Sequence, residues 1–145
     1  MKMKIYKIAV IFVIAIILTS CEKDKVLTYE NYPSEIQAYV KTHFSDASII
    51  QTTKEKDFLT SEYTVILSNM TRLEFSRKFE VQDIDSNTEL PSSVVPEVII
   101  NYINIQFPDN FIKGWELEDK HQQISLNNGM DLEFKMDGTF LRIDD

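Results

Sequence analysis

From residue 33 onward the apolar positions follow two alternating rhythms, one helical and one strand-like. Ile36, Tyr39, Val40 and Phe44 recur at helical spacing and define one apolar face. Pro33 suits the first turn, where its missing N–H would be unpaired anyway, and Glu35 sits near the positive end of the helix dipole. The period then changes to two. Residues 48–51 read as a first strand and the polar stretch 52–57 as a loop. Tyr63, Val65 and Leu67 alternate with Glu62, Thr64 and Ile66, and Leu73 and Phe75 alternate with Arg72 and Glu74. A three-residue loop, Ser68-Asn69-Met70, sets Val65 opposite Leu73 and Tyr63 opposite Phe75, all facing a core. Phe79 and Val81 open a fourth strand.

The same succession returns. Ser93 is the expected N-cap of a second helix, with Pro96 and Glu97 in its first turn and Pro108 ending it. Ile99, Tyr102, Ile103 and Phe107 form its apolar face, and Ile100 and Ile105 extend that surface towards either the first copy or a partner. Trp115 and Leu117 alternate with Glu116 and Glu118, and Ile124 and Leu126 with Gln123 and Ser125. Asn127-Asn128-Gly129 fits a three-residue hairpin that pairs Leu126 with Met130 and Ile124 with Leu132. Asp137-Gly138 reads as a two-residue hairpin. It pairs Phe134 with Leu141 and Leu132 with Ile143 on the core face, and sets Lys135 against Phe140 and Glu133 against Arg142 on the other.

The two halves align residue by residue. Pro33, Ile36, Tyr39, Phe44 and Asp46 precede Pro96, Ile99, Tyr102, Phe107 and Asp109 by 63 positions. Asn69, Leu73, Glu74 and Phe75 precede Asn128, Leu132, Glu133 and Phe134 by 59, so the first half carries four extra residues. Two copies are too few for a solenoid. The pattern predicts an α+β domain, a tandem duplication of a helix plus a four-stranded antiparallel meander, with both helices packed on one face of the sheet. Its repeats span 33–86 and 90–145. Met70 stands where Gly129 stands, so the first copy either uses another turn there or holds a side chain in the left-handed region at about 1 kcal/mol.

The first 32 residues obey a different pattern. Lys2, Lys4 and Lys7 precede an unbroken apolar run of eleven residues, 8–18, which suits a signal peptide and is too short to span a bilayer. The run ends in Leu18-Thr19-Ser20-Cys21, and Cys21 is the only cysteine. These four residues resemble a lipobox. The resemblance implies cleavage after residue 20, a diacylglyceryl thioether on Cys21 and an acylated amino terminus, as by palmitate. Several chains anchor durably where one does not. Residues 21–32 read as a polar tether. The expected location is the envelope of a Gram-negative bacterium, on the periplasmic or surface face of the outer membrane.

Loss of the leader takes the net charge from −8 to −11, which disfavours nucleic acid as a partner. His43 and His121 are the only histidines available for acid–base chemistry, and no Ser-His-Asp order, metal-ligand spacing or phosphate loop is visible. Asp83, Asp85 and Asn87 begin like a calcium loop, but Thr88 and Val94 occupy the glycine and glutamate positions, so a turn is expected. Asn69-Met70-Thr71 has sequon form without consequence in a bacterial protein.

The helix-and-meander unit, the Leu90-Pro91 linker and the second unit resemble the PepSY-like family of small exported Gram-negative proteins, whose fold is similar to β-lactamase inhibitor protein. Residues 33–44, 67–75, 90–91, 96–107, 128–129 and 134–144 carry the resemblance. The first copy lacks the Asn-Gly and Asp-Gly turns of the second. The family implies helices on one sheet face and a partner-binding surface on the other. The chain is therefore read as a non-enzymatic lipoprotein without cofactor or metal site. It would bind, or bind and inhibit, an envelope protein or peptide. The expected face comprises Glu116, Glu118, Gln123, Glu133, Phe140 and Arg142, with Phe140 its one large aromatic. The alternative is an envelope protein that binds a small ligand or divalent cation.

Overall fold

A computed structural model describes residues 24–56 and 61–144; Cys21 and the expected leader lie outside them. Among the described residues the chain forms nine strands and two α-helices. The strands are β1 (Lys25–Val26), β2 (Ile49–Lys56), β3 (Ser61–Leu67), β4 (Arg72–Phe75), β5 (Val81–Asp85), β6 (Ile112–Leu117), β7 (His121–Leu126), β8 (Asp131–Lys135) and β9 (Phe140–Asp144). Helix α1 (Ser34–His43) lies between β1 and β2, and α2 (Glu97–Gln106) between β5 and β6. All strands join one antiparallel sheet in chain order, so β5 pairs with β6 where the two halves meet.

Both helices cover the same sheet face. Ile36 and Val40 of α1 and Ile99 and Ile103 of α2 are buried against Val65, Leu73, Ile84, Trp115, Ile124 and Leu132. Those six come from successive strands and are cross-strand neighbours in one row. Tyr39 meets Phe75 edge-on with ring centroids 5.3 Å apart, and Tyr102 meets Phe134 the same way at 5.4 Å. Buried polar groups in this core are mostly paired. Trp115 Nε1–H donates to Gln122 Oε1 at 2.9 Å, and Gln122 Nε2 donates to the carbonyls of Lys135 and Met136.

Four hairpins share one turn. The N–H of Leu67, Ser76, Leu126 and Lys135 donates to the carbonyl four residues on, and the N–H three residues on donates back. The last loop residue is left-handed in each: Met70 at φ 66°, Phe79 at 64°, Gly129 at 87° and Gly138 at 83°. Met70 thus holds the strained conformation rather than avoiding it. Asx-type bonds fasten three of the loops, with Asn69, Asn128 and Asp137 Oδ1 each accepting the N–H two residues on. In the fourth, Ser76 Oγ accepts the N–H of Lys78 and Glu80.

Several expectations are corrected. Residues 52–56 are strand, with Thr52 opposite Val65 and Glu55 opposite Glu62. Residues 25–31 are not simply tether: Lys25–Val26 pair with β2, and Tyr29–Asn31 form a 3₁₀ turn. Phe79 is a turn residue, and its strand starts at Val81. Pro33 and Pro96 stand at the N-cap, one position before each helix. Ser93 lies in a separate 3₁₀ turn, its hydroxyl 2.9 Å from His43 Nδ1.

The largest correction concerns β9. Asp137-Gly138 belongs to a three-residue loop, 136–138, and not to a two-residue one, so Phe134 pairs with Phe140. Leu141 is then the extra residue of a β-bulge, which restores the expected pairs Glu133–Arg142 and Leu132–Ile143. Because neighbouring strand residues point to opposite faces, the one-residue slip turns Phe140 to the helix side and leaves Leu141 42% exposed. Gln82 is the corresponding extra residue between β4 and β5.

Candidate functional site

The face away from the helices is open and polar, because strand alternation puts the charged positions there. One row crosses the sheet through Thr64, Glu74, Asp83, Glu116, Gln123, Glu133 and Arg142. Four of the six residues expected at the site, Glu116, Gln123, Glu133 and Arg142, are therefore consecutive neighbours in it. Glu118 is exposed in the β6–β7 turn, where its N–H donates to the His121 carbonyl. Phe140 does not join them. It is partly buried on the other face, stacked on Tyr102 and edge-on to Phe134.

Glu133 is 7% exposed although it lies on the open face. Arg142 Nη2 donates to its Oε1 at 2.6 Å, and His121 Nε2 lies 3.7 Å from the same oxygen. The Glu133 bond is the main reason the Arg142 guanidinium is held above its ordinary range.

Pairing of β5 with β6 adds Glu74, Asp83 and Asp85 to the expected Glu116. Glu74, Asp83 and Glu116 are carboxylates on three adjacent strands of one row, and Asp85 lies one row away. Burial pushes the Asp83 carboxyl up to about 6, the Glu74, Glu116 and Asp85 charges push the same way, and Arg72 opposes them. Arg72 Nη1 donates to Asp83 Oδ2 at 3.1 Å, while its Nη2 bonds Glu74. Arg72, Asp83, Asp85 and Glu116 rim a concavity of about 250 Å³ floored by Gly114, Trp115 and Ser125. A Cβ at Gly114 would stand 3.0 Å from Ser125 Cβ, so the close strand approach at its floor favours glycine. The charges of Asp83 and Asp85 are the sequence signal at this seam, but nothing local sets β5 beside β6.

Among the described residues no three His, Cys, Asp or Glu side chains are grouped to hold a metal ion, and no helix is long and apolar enough to cross a membrane. The arrangement offers charge and hydrogen bonds on an open surface.

A one-sided helix-and-sheet module with a charged free face is the class that fold and surface define. The family model described as "Putative beta-lactamase-inhibitor-like, PepSY-like" matches residues 17–83 and again 61–142. The chain belongs to this PepSY-like family. Among solved structures, it is similar to a "putative calcium-regulated periplasmic protein" of Bacteroides thetaiotaomicron, with 29% identity over 86% of this chain and 98% of that one and a TM-score of 0.79. It is also similar to two proteins of Bacteroides vulgatus, each described as a "putative periplasmic protein". One shares 28% identity over 86% of this chain and 99% of that one, with a TM-score of 0.78. The other, of unknown function, shares 28% over 85% and 100%, with a TM-score of 0.79. Among curated proteins, none matches the chain.

Proposed function

We propose that the protein is a non-catalytic envelope lipoprotein, anchored through lipid on Cys21, that docks a protein or peptide on the open face of its sheet. The observation that carries this reading is the single row Glu116–Gln123–Glu133–Arg142, laid across four strands and bare of any helix. Its continuation through Asp83 and Glu74 sets three adjacent carboxylates, two of which Arg72 bridges, which suits a partner presenting Lys or Arg. The doubled family match and the recurrence of turns and bulges 59 positions apart support reading the domain as a tandem duplication. The periplasmic description of the similar structures supports the envelope location.

The test is capture from envelope extract, comparing the lipidated wild type with a Glu116→Lys, Arg142→Ala variant of unchanged circular dichroism. A partner retained by the first and lost by the second supports this face. Equal recovery by both removes it.

A second reading is divalent-cation binding at the Asp83–Glu116 seam. It is favoured by the acidic rim of the concavity and by the calcium regulation in the description of the Bacteroides thetaiotaomicron relative. A rise in melting temperature with calcium that Asp83→Asn abolishes would select this reading over the first.

A further inference from the structure

The strands lie in the sheet in the order of the chain, so position along the chain also measures distance across the molecule. Eight strand spacings of about 4.8 Å separate β1 from β9, roughly 38 Å measured along the sheet. At the β1 edge the chain is fastened early. Lys25 and Val26 pair with Lys54 and Thr53, and the Leu27 N–H donates to the Thr52 carbonyl at 2.8 Å. Three peptide units join Cys21 to Asp24, a covalent reach of at most about 11 Å.

We infer that the β1 edge of the sheet faces the lipid bilayer, with the sheet standing edge-on to it and the Glu116–Arg142 row far from it. The inference rests on the lipid anchor proposed above. Two large apolar side chains are exposed at this edge: Val26 at 62% and Ile50, in the part of β2 that β1 leaves uncovered, at 55%. Both suit the interfacial region of a membrane. Lying flat on the open face would instead press Glu74, Asp83, Glu116 and Asp131 towards the lipid headgroups, which an anionic leaflet opposes. Standing edge-on removes that repulsion and leaves the face open to a partner from the side.

The test uses the full lipidated protein in vesicles of phosphatidylethanolamine and phosphatidylglycerol carrying a headgroup acceptor dye. Lipid occupies the thiol of Cys21, so an introduced cysteine is the sole labelling site. Donor dyes are placed singly through Val26→Cys, Ile50→Cys, Met70→Cys, Met136→Cys and Leu141→Cys, all at exposed positions. Energy transfer should be strongest from positions 26 and 50, and at least about twofold weaker from 141, eight strand spacings away. Equal transfer from 26 and 141 means the sheet lies flat and overturns the inference. Stronger transfer from 70 or 136 means it stands on a row of hairpin tips and overturns it too. Intact mass separates the two proposals. Lipid on Cys21 with the wrong transfer order sinks the orientation alone, whereas absence of lipid sinks the anchor and the orientation with it.

Discussion

Phe140 stacks on Tyr102, with ring centroids 4.9 Å apart and planes 14° from parallel. This contact fixes the side of the sheet on which β9 buries its aromatic, and it follows from one extra residue in the loop before it. Phe140→Ala should destabilise the fold by about 2–3 kcal/mol, less than for a fully buried ring because Phe140 is only partly buried. Leu141→Ala should cost under about 1 kcal/mol, since Leu141 sits exposed at the bulge. Urea unfolding of the two variants checks the order. A larger loss for Leu141 would restore the two-residue turn.

The left-handed loop residues should respond differently to substitution. Met70→Gly should stabilise by about 0.5–1 kcal/mol, because relief of the left-handed side chain exceeds the added flexibility of glycine. Phe79→Gly should bring no gain, since Phe79 also packs on Tyr63 with ring centroids 5.3 Å apart. Gly138→Ala should cost more than Gly129→Ala. A Cβ at 138 would meet Val98 Cβ at 3.1 Å, while none of the surrounding atoms comes within 4 Å at 129. Melting temperatures of the four variants test the ranking.

The acidic seam carries a pH dependence. The Asp83 carboxyl titrates near 6 in the folded protein, above its ordinary 3.8, so the folded state holds its proton more tightly than the unfolded chain. The resulting stabilisation is complete below about pH 3.8 and is lost as pH rises through about 6. Asp83→Asn should therefore be more stable than wild type at pH 8, by on the order of 1 kcal/mol after solvent screening, with the gap closing towards pH 4. Denaturant midpoints across that range measure it. A gap independent of pH would mean that Asp83 does not titrate there.

Gln122 is the polar hinge of the second half, joining the Trp115 indole to two carbonyls of the β8–β9 connection. Gln122→Leu should cost about 1–3 kcal/mol, because the indole N–H and the carbonyls lose their partner in a buried place. Trp115 is the only tryptophan, so its fluorescence reports the change directly. An unchanged emission maximum and unfolding midpoint would show that water replaces the amide.

Much of the strand pattern was legible because side chains alternate with period two. Tyr63, Val65, Leu73 and Phe75 pair as expected, as do Ile124 and Leu132. Polar residues were read less well. Thr52 and Lys54 look like loop residues in sequence, yet pairing with β3 makes them strand. At the candidate site, Glu116, Gln123, Glu133 and Arg142 were accessible to register counting within the second half. Glu74 and Asp83 were not, because their meeting with Glu116 depends on strands from different halves.

Hydrophobic periodicity by itself determined two helices, the meander and the inward faces of most strands, because burial couples each apolar side chain to a repeating backbone geometry. Only tertiary structure decided which way Phe140 points, since an Asp-Gly turn is compatible with two loop lengths that differ by one residue and hence by one sheet face. It also decided that β5 lies against β6. That contact concentrates carboxylates from both halves on one surface, and no local pattern encodes a pairing made across residues 86–111, which contain α2.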